Sequence, residues 1–491
     1  MLVIGTIGIT YIKEKVLMSK TIVLLNPPIT LQELYGDLSF AADFQVPLNL
    51  LYLAATVREA GFNVHVIDPQ VRELDFDSCI DAIRELAPDY IGLSFSFAYA
   101  LPQSRRFATK IKECFPDTKL IAGGVHFSAC PEVTMRESIE IDYGIVGEGE
   151  ESLVELLETL DKKEDIVSVE GIIYRNGEDF IRTTARPLIA DLDKLPLPAW
   201  DLVDMNSYGT LTHNDVLFRS TLIITARGCP YPCTFCDRTV LGKKFRVNSP
   251  EYIAKMIDHL HTTYGINDFA VRDENISASK KHLKVYCDIM KARPGLTFTC
   301  LMRAQNVDNE MVEMMTEGGC RDVFVGIESA SDHMLEMYQK KVTAKEMQEA
   351  VTIMRRGGLS IYASYIVGGP GETKESLQET MKFVKETSLE TSLICFFIPF
   401  VGTPAYDNIE QHGKMISDDL NKFNGQNVVF VPNGFTEQEL IEWKDRLHKA
   451  AYFSPRFIFT KLMEIRSPKQ LFVYASLGFK LLLTLFGKSK K

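Results

Sequence analysis

The residues best equipped for chemistry lie in "RGCPYPCTFC", residues 227–236, where Cys229, Cys233 and Cys236 are separated by three and then two residues. Thiolates this close serve a metal, a redox pair or a disulfide. Ten cysteines in 491 residues are too few for a disulfide scaffold. The other seven, Cys79, Cys114, Cys130, Cys287, Cys300, Cys320 and Cys395, are scattered and suit small buried positions. Structural zinc normally closes on four ligands, usually as paired Cys-x-x-Cys units. No second pair exists, and no histidine stands within 20 residues of Cys236. The spacing is also wrong for a thioredoxin-type motif. A cuboidal iron–sulfur cluster fits: three thiolates hold three irons and leave the fourth open to a ligand. Phe235, between the last two cysteines, can shield such a cluster from water.

The elements that must position this loop are legible as alternating apolar runs. Residues 218–405 read as six strands separated by helices: "TLIITA", "DFAVRD", "TFTCLM", "DVFVGI", "SIYASYIVG" and "LICFFIPF". That is a partial (β/α)6 barrel of the TIM type, with chemistry expected at the carboxyl ends of its strands. The triad falls just after the first. Ser249 and Pro250 predict the N-cap and first position of the helix that follows the cysteine loop and its basic stretch, "LGKKFR".

Residues 21–165 show the same alternation in five shorter strands, which predicts a flavodoxin-like, doubly wound parallel sheet. Ligands of such sheets sit beyond the strand carboxyl ends. Here those ends are "NPP" (26–28), "SFSFAYA" (94–100), "GGVHFSACPE" (123–132) and "GEGEES" (147–152), all small, glycine-rich or hydroxyl-bearing. Plain strand-to-helix turns are the alternative for each. Residues 166–217 read as a linker with a hairpin turned at Asn176-Gly177.

Residues 1–20 read as an N-terminal extension, with Met18 a natural start and no convincing secretory signal. Residues 406–491 are expected to be helical. Their last 21, "LFVYASLGFKLLLTLFGKSKK", are too short and interrupted for a span, but suit a membrane-surface anchor with Lys480, Lys488, Lys490 and Lys491 at anionic head groups. A cytoplasmic protein, membrane-associated at the inner face, is the expectation. A net charge of −11 counts against a nucleic-acid partner.

The cysteine triad at the end of a first barrel strand resembles the radical S-adenosylmethionine (SAM) superfamily. "FAVRDENIS", "LMRAQNVDNEMVEMMTEGGCRDVFVGIESAS", "YIVGGPGET" and "FIPFVGTPAYD" resemble its later strands. With the doubly wound domain in front, residues 21 to about 405 resemble the cobalamin (B12)-binding radical SAM proteins, which include anaerobic magnesium-protoporphyrin ester cyclase and hopanoid methylases.

The resemblance implies a 4Fe-4S cluster on Cys229, Cys233 and Cys236, with SAM at the open iron. It places Asp273, Glu274 and Asn275 at the methionine end of SAM. Arg303 would pair with its carboxylate or with Glu328, and Glu328 would hold a ribose hydroxyl or the amino group. Gly368, Gly369, Pro370 and Gly371 would let the backbone approach the adenine. Cobalamin would lie against Asn26, Pro27, Ser94, Ser96, Gly123, Gly124, His126, Gly147 and Glu148. No histidine has an aspartate two residues before it, so no Asp-x-His-x-x-Gly motif supplies a lower cobalt ligand, and His126 is expected at the corrin or its tail.

The implied activity is methylation of an unactivated carbon of a hydrophobic or lipid-like substrate, with an electron donor such as flavodoxin or ferredoxin. Oxidative cyclisation or carbon–carbon coupling is the alternative. A non-enzymatic cobalamin module would leave the cysteine loop unexplained.

Overall fold

The computed structural model describes residues 19–35, 44–208, 219–454 and 457–458. The expected N-terminal extension, almost all of it, and the expected C-terminal anchor lie outside the described residues.

The first sheet has seven strands in the order β2-β1-β3-β4-β5-β6-β7. They are β1 Thr21–Leu25, β2 Asn63–Ile67, β3 Tyr90–Ser94, β4 Lys119–Gly123, β5 Tyr143–Ile145, β6 Ile172–Asn176 and β7 Asp179–Arg182. Strands β1 to β5 are parallel, in the flavodoxin-like order expected. The hairpin assigned to the linker instead pairs antiparallel onto β5 and extends this sheet. Its register puts Ile172 and Ile173, both fully buried, against the core. Gly177, at φ +67°, makes the turn.

The second sheet has six parallel strands in strict sequence order: β8 Ser220–Ile223, β11 Asp268–Val271, β12 Thr297–Met302, β13 Cys320–Glu328, β14 Ser360–Val367 and β15 Thr391–Phe396. Between β8 and β11, a short ladder of β9 (Ala226–Arg227) and β10 (Arg246–Val247) closes the cysteine loop at its base. The helix Pro250–Tyr264 begins as expected, with Ser249 Oγ accepting from Tyr252 N at 3.1 Å. Such a cap contributes about 1 kcal/mol.

The expected linker is clamped down. Trp200 is buried, Ala199 N donates to Leu51 O, and Tyr252 Oη donates to Pro196 O. One apolar core runs through both sheets, from Leu51 and Ile172 through Trp200 to Ile223 and Phe269. After β15 comes a small hairpin, β16 (Gly413–Met415) and β17 (Phe430–Pro432). The helix Glu437–Tyr452 then covers the β15 edge, with Tyr452 Oη donating to Ser392 O at 2.8 Å.

Candidate active site between two strand-end edges

The cysteine loop is held from several directions. Gly228 sits at φ +85°, and a Cβ there would lie 2.4 Å from Lys244 O, so only glycine lets the turn 241–244 close over the loop. Cys229 N donates to Gly242 O at 3.3 Å, Thr234 N to Tyr338 O at 3.1 Å, and Ala405 N to Thr234 O at 2.9 Å. Phe235 packs edge-on to Tyr338, with ring centroids 5.2 Å apart.

All three cysteines are free thiols. Burial, then the charges of Cys233 and Cys229, push the Cys236 pKa up to about 12. Burial also raises that of Cys229. Thiols crowded this way ionise readily only with a cation among them. Among the described residues no three His, Cys, Asp or Glu side chains are placed to hold one ion. Three thiols that each take a different iron of a cuboidal cluster have no need to converge on one point. The loop therefore fits a cluster better than a mononuclear site.

Around the loop stand several buried polar atoms without partners: Asn275 Nδ2, Arg303 Nε, Gln305 Oε1 and Tyr338 Oη. All lie at the carboxyl ends of the second sheet. Orphaned buried groups cost stability unless a ligand satisfies them, so this edge fits a polar molecule such as SAM.

The expected SAM residues divide. Asn275 is buried, its Oδ1 accepting from Ser277 Oγ at 2.7 Å and its amide nitrogen left over. Glu274 keeps solvent access, yet the protein packed around its carboxyl pushes its pKa up to about 7, against the Gly228 N–H that it accepts at 2.9 Å. Asp273 is a correction. It is fully buried and accepts from Thr225 N, Ala226 N and Thr225 Oγ1 at 2.6, 2.9 and 2.7 Å. Its oxygens pin the end of the first strand to the second, with His282 behind Thr225, so they do not face a ligand.

Glu328 is buried at a register shift in β13, at φ +63°, a conformation costly for a side chain of this size. Its Oε1 accepts from Lys340 Nζ at 3.2 Å and its Oε2 from Ser364 Oγ at 3.0 Å. Arg303 pairs with neither Glu328 nor any other carboxylate among the described residues. It donates from Nη1 to Cys233 Sγ at 2.9 Å and from Nη2 to Lys340 O, and its guanidinium lies 4.1 Å from the Tyr231 ring centroid. In the glycine turn, Cβ atoms on Gly369 and Gly371 would meet Tyr338 Oη at 2.0 Å and Met337 Cε at 3.0 Å. These two glycines make room for the protein's own side chains. Pro370 is buried in the same turn, and Gly368, at φ +80°, donates to Glu372 Oε2 at 3.3 Å.

At the first sheet, the cofactor candidates gather around a cavity of about 280 Å³. Ser94, Ser96, Gly123, Gly124, Gly147 and Glu148 line it, with Leu24, Leu50, Tyr52, Leu53, Ile145 and Leu153 as its apolar wall. A Cβ on Gly124 would lie 2.7 Å from Ser96 Oγ, and Ser96 Oγ lies 2.6 Å from Ser94 Oγ. An apolar slot with a few hydroxyls at its mouth suits the tail of a large cofactor. Three of the expected residues lie outside its lining. Asn26 and Pro27 do not line the cavity. His126 also lies outside its lining: its Nε2 is 3.2 Å from Cys130 Sγ, and burial and Arg105 push its pKa down to about 4. Its neighbour Val125 lines the cavity instead.

Sequence reasoning missed how the two edges are joined. Glu148 accepts from Arg227 Nη1 at 2.9 Å, Arg246 Nη1 at 2.7 Å and Ile189 N at 2.9 Å. Glu150 accepts from Arg227 Nη2 at 2.6 Å, and the guanidinium lies over Tyr52, 5.1 Å from the ring centroid. Arg227, Arg246, Glu148 and Glu150 are all buried. Arg227, one residue before the loop, thus reaches the cavity wall. Lys340, buried between Glu328 and Phe235, was equally unforeseen: two lysines in "QKKVT" read alike, but only Lys340 points inward.

Residues 41–157 match the family described as B12 binding domain, and residues 223–384 match the radical SAM superfamily. The two stretches together take in more than half of the chain. An uncharacterized methyltransferase of Pyrococcus horikoshii is 29% identical over 85% of this chain and 90% of its own length. An anaerobic magnesium-protoporphyrin IX monomethyl ester cyclase of Cereibacter sphaeroides is 25% identical over 81% of this chain and 65% of its own. The fold is similar to that of the cobalamin-dependent S-adenosylmethionine radical enzyme OxsB with aqua-cobalamin and S-adenosylmethionine bound, at a TM-score of 0.71 and 18% identity, covering 95% of this chain and 72% of that one. The chain belongs to the B12-binding radical SAM family, enzymes that work with cobalamin, a [4Fe–4S] cluster and S-adenosylmethionine.

Proposed function

We propose that the protein methylates an unactivated carbon of a hydrophobic or lipid-like substrate. The observation that carries this reading is the meeting of the two strand-end edges. Gly402, after β15, lies so near Ala129, after β4, that a Cβ would stand 3.0 Å from the Ala129 Cβ. Ala98 and Ile398 share one small core beside it. Three large apolar residues of these loops stay open to solvent: Phe97 at 54%, Val125 at 38% and Phe400 at 36%. A carbon held there lies between both cofactor edges.

We read the second sheet as a (β/α)6 partial barrel, with SAM at its open end. When bound, the cofactors supply a hydrogen-abstracting adenosyl radical and a transferable methyl group. The chain does the rest. Cys229, Cys233 and Cys236 hold the cluster. Asn275 and Gln305 offer unsatisfied polar atoms to SAM, and Glu328, steadied by Lys340 and Ser364, offers a fixed carboxylate. Phe235 and Tyr338 keep water from the cluster. Ser94, Ser96, Gly123, Gly124 and Gly147 form the cobalamin edge. A protein donor such as flavodoxin or ferredoxin supplies electrons. A peripheral membrane contact through residues 468–491 belongs to the same proposal, and its test is liposome binding of the truncated chain.

The deciding experiment uses SAM with a deuterated methyl group and lipid extract from a strain lacking the gene. A product that gains the labelled methyl supports the reading. A product that gains a ring or bond and no label would overturn it in favour of oxidative cyclisation or carbon–carbon coupling, the Cereibacter sphaeroides relative being a cyclase.

A further inference from the structure

The turn that closes over the cysteine loop carries charge that none of the described residues pairs with. Lys243 and Lys244 are exposed and form no ion pair or side-chain hydrogen bond among the described residues. Phe245 turns inward onto His282, with ring centroids 5.8 Å apart, which sets the turn against the helix Lys280–Lys291. On that helix Lys280 is paired with Asp308 and Glu310, and Lys284 with Asp288. Lys281 is exposed and, among the described residues, unpaired. Two nearby carboxylates are otherwise engaged: Asp193 accepts from Asn248 Nδ2 and Ser249 N, and Glu274 accepts from Gly228 N. Val247, 44% exposed, adds an apolar contact beside the lysines.

This cationic face stands out in a chain of net charge −11. It is also tied to the cluster loop, through Cys229 N donating to Gly242 O at 3.3 Å, and it packs so close to Gly228 that a side chain there would run into Lys244 O. A partner seated on it has only the turn's backbone between itself and the first cluster thiol.

We propose that Lys243, Lys244, Lys281 and Val247 form the docking surface for an acidic, low-potential one-electron carrier protein. The proposal rests on the reading of Cys229, Cys233 and Cys236 as cluster ligands. Complementary charge steers such a carrier to the turn and orients it. One electron then leaves the carrier, which is oxidised by one equivalent, and the cluster takes it up. No bond forms or breaks in the step. An acidic face is the chemistry that selects the partner, because a neutral or basic carrier gains nothing from three unpaired ammonium groups.

The test uses the reconstituted full chain and flavodoxin hydroquinone as the probe, with cluster reduction followed by stopped-flow absorbance. The triple variant K243E/K244E/K281E should keep its iron content and its reduction by dithionite. Its second-order rate with flavodoxin should fall about tenfold to a hundredfold at low salt, and the difference should shrink at high salt. An unchanged flavodoxin rate overturns the proposal. So does a wild-type cluster that dithionite reduces and flavodoxin does not, or an equal slowing with dithionite. Binding to vesicles of anionic phospholipid that is lost in the variant, with the flavodoxin rate intact, assigns the lysines to a membrane instead. If the wild type assembles no cluster, the reading of the cysteine loop fails together with this one. Failure of the docking surface alone leaves the assembled cluster in place.

Discussion

Arg303 donates from Nη1 to the Sγ of Cys233 at 2.9 Å, while its Nη2 holds the backbone oxygen of Lys340. A fixed positive charge therefore sits on a thiol of the proposed cluster loop and is oriented by the same segment that steadies Glu328. Hydrogen bonds to ligand sulfur favour the more negative, reduced state of a cluster. Losing one worth about 1.4 kcal/mol lowers a one-electron potential by about 60 mV. Arg303→Gln should show such a drop in a reductive titration followed by electron paramagnetic resonance, with iron content preserved.

Asp273 acts on the loop rather than on SAM. Its carboxylate holds two backbone N–H groups and a hydroxyl at the end of β8. Asp273→Ala should cost roughly 3 kcal/mol, measured by denaturant unfolding of the apo chain. Cluster loading should fall with it. Asn275→Ala should leave stability nearly unchanged and weaken SAM binding, measured by equilibrium dialysis.

Arg227 ties the cysteine loop to the cavity wall through Glu148 and Glu150. Arg227→Met leaves Glu150 without its partner and should destabilise the chain by about 3–5 kcal/mol. Adding Glu150→Leu should recover much of the loss. Hydrogen exchange of residues 226–230 reads both changes, since the cycle isolates the pair.

Val125 lines the cavity while keeping solvent access, so a larger side chain there does not overpack the core. Val125→Trp should weaken cobalamin binding about tenfold or more, read from corrinoid absorbance after gel filtration. His126→Ala, outside the cavity lining, should not.

Glu372 is buried, and burial pushes its pKa up to about 7 from an ordinary 4.5, against hydrogen bonds from Ser376 and Gly368. The folded chain thus holds a proton that the unfolded chain releases between about pH 4.5 and 7. The penalty for the buried charge is absent below that window, grows through it and is complete above it. Glu372→Gln should gain on the order of 2–3 kcal/mol at pH 8 and nothing at pH 4, measured by denaturant unfolding of the apo chain.

The strand and helix alternation was legible because each element carries its own period, and so was the helix start at Ser249 and Pro250. The hairpin was legible as a hairpin, at Asn176-Gly177, but not as part of the first sheet. Which sheet edge a hairpin joins depends on the exposed hydrogen-bonding groups of β5, far off in sequence.

The candidate site divides the same way. Spacing alone brought Cys229, Cys233 and Cys236 into one loop, because eight residues cannot carry them far apart. Glycines marked turns, but Gly369 and Gly371 proved to admit Tyr338 and Met337, and a missing Cβ does not say what fills its space. Asp273 and Glu274 are neighbours with opposite fates, since the chain bends past the end of its strand, with Asp273 turned in to Thr225 and Glu274 left open to solvent. His126 sits in the short helix Val125–Ala129, whose spacing of four brings it to Cys130 and leaves Val125 at the cavity.

By itself, then, the sequence determined the two alternating domains, the three-thiol loop and the family resemblance, all of which rest on residues close in the chain. Tertiary structure alone decided that Arg227 joins Glu148 and Glu150, that Arg303 reaches Cys233, and that Lys340 faces Glu328. Those pairs are separated by 79, 77, 70 and 12 residues. Buried charges must find partners wherever the fold brings them, and no local period records that choice.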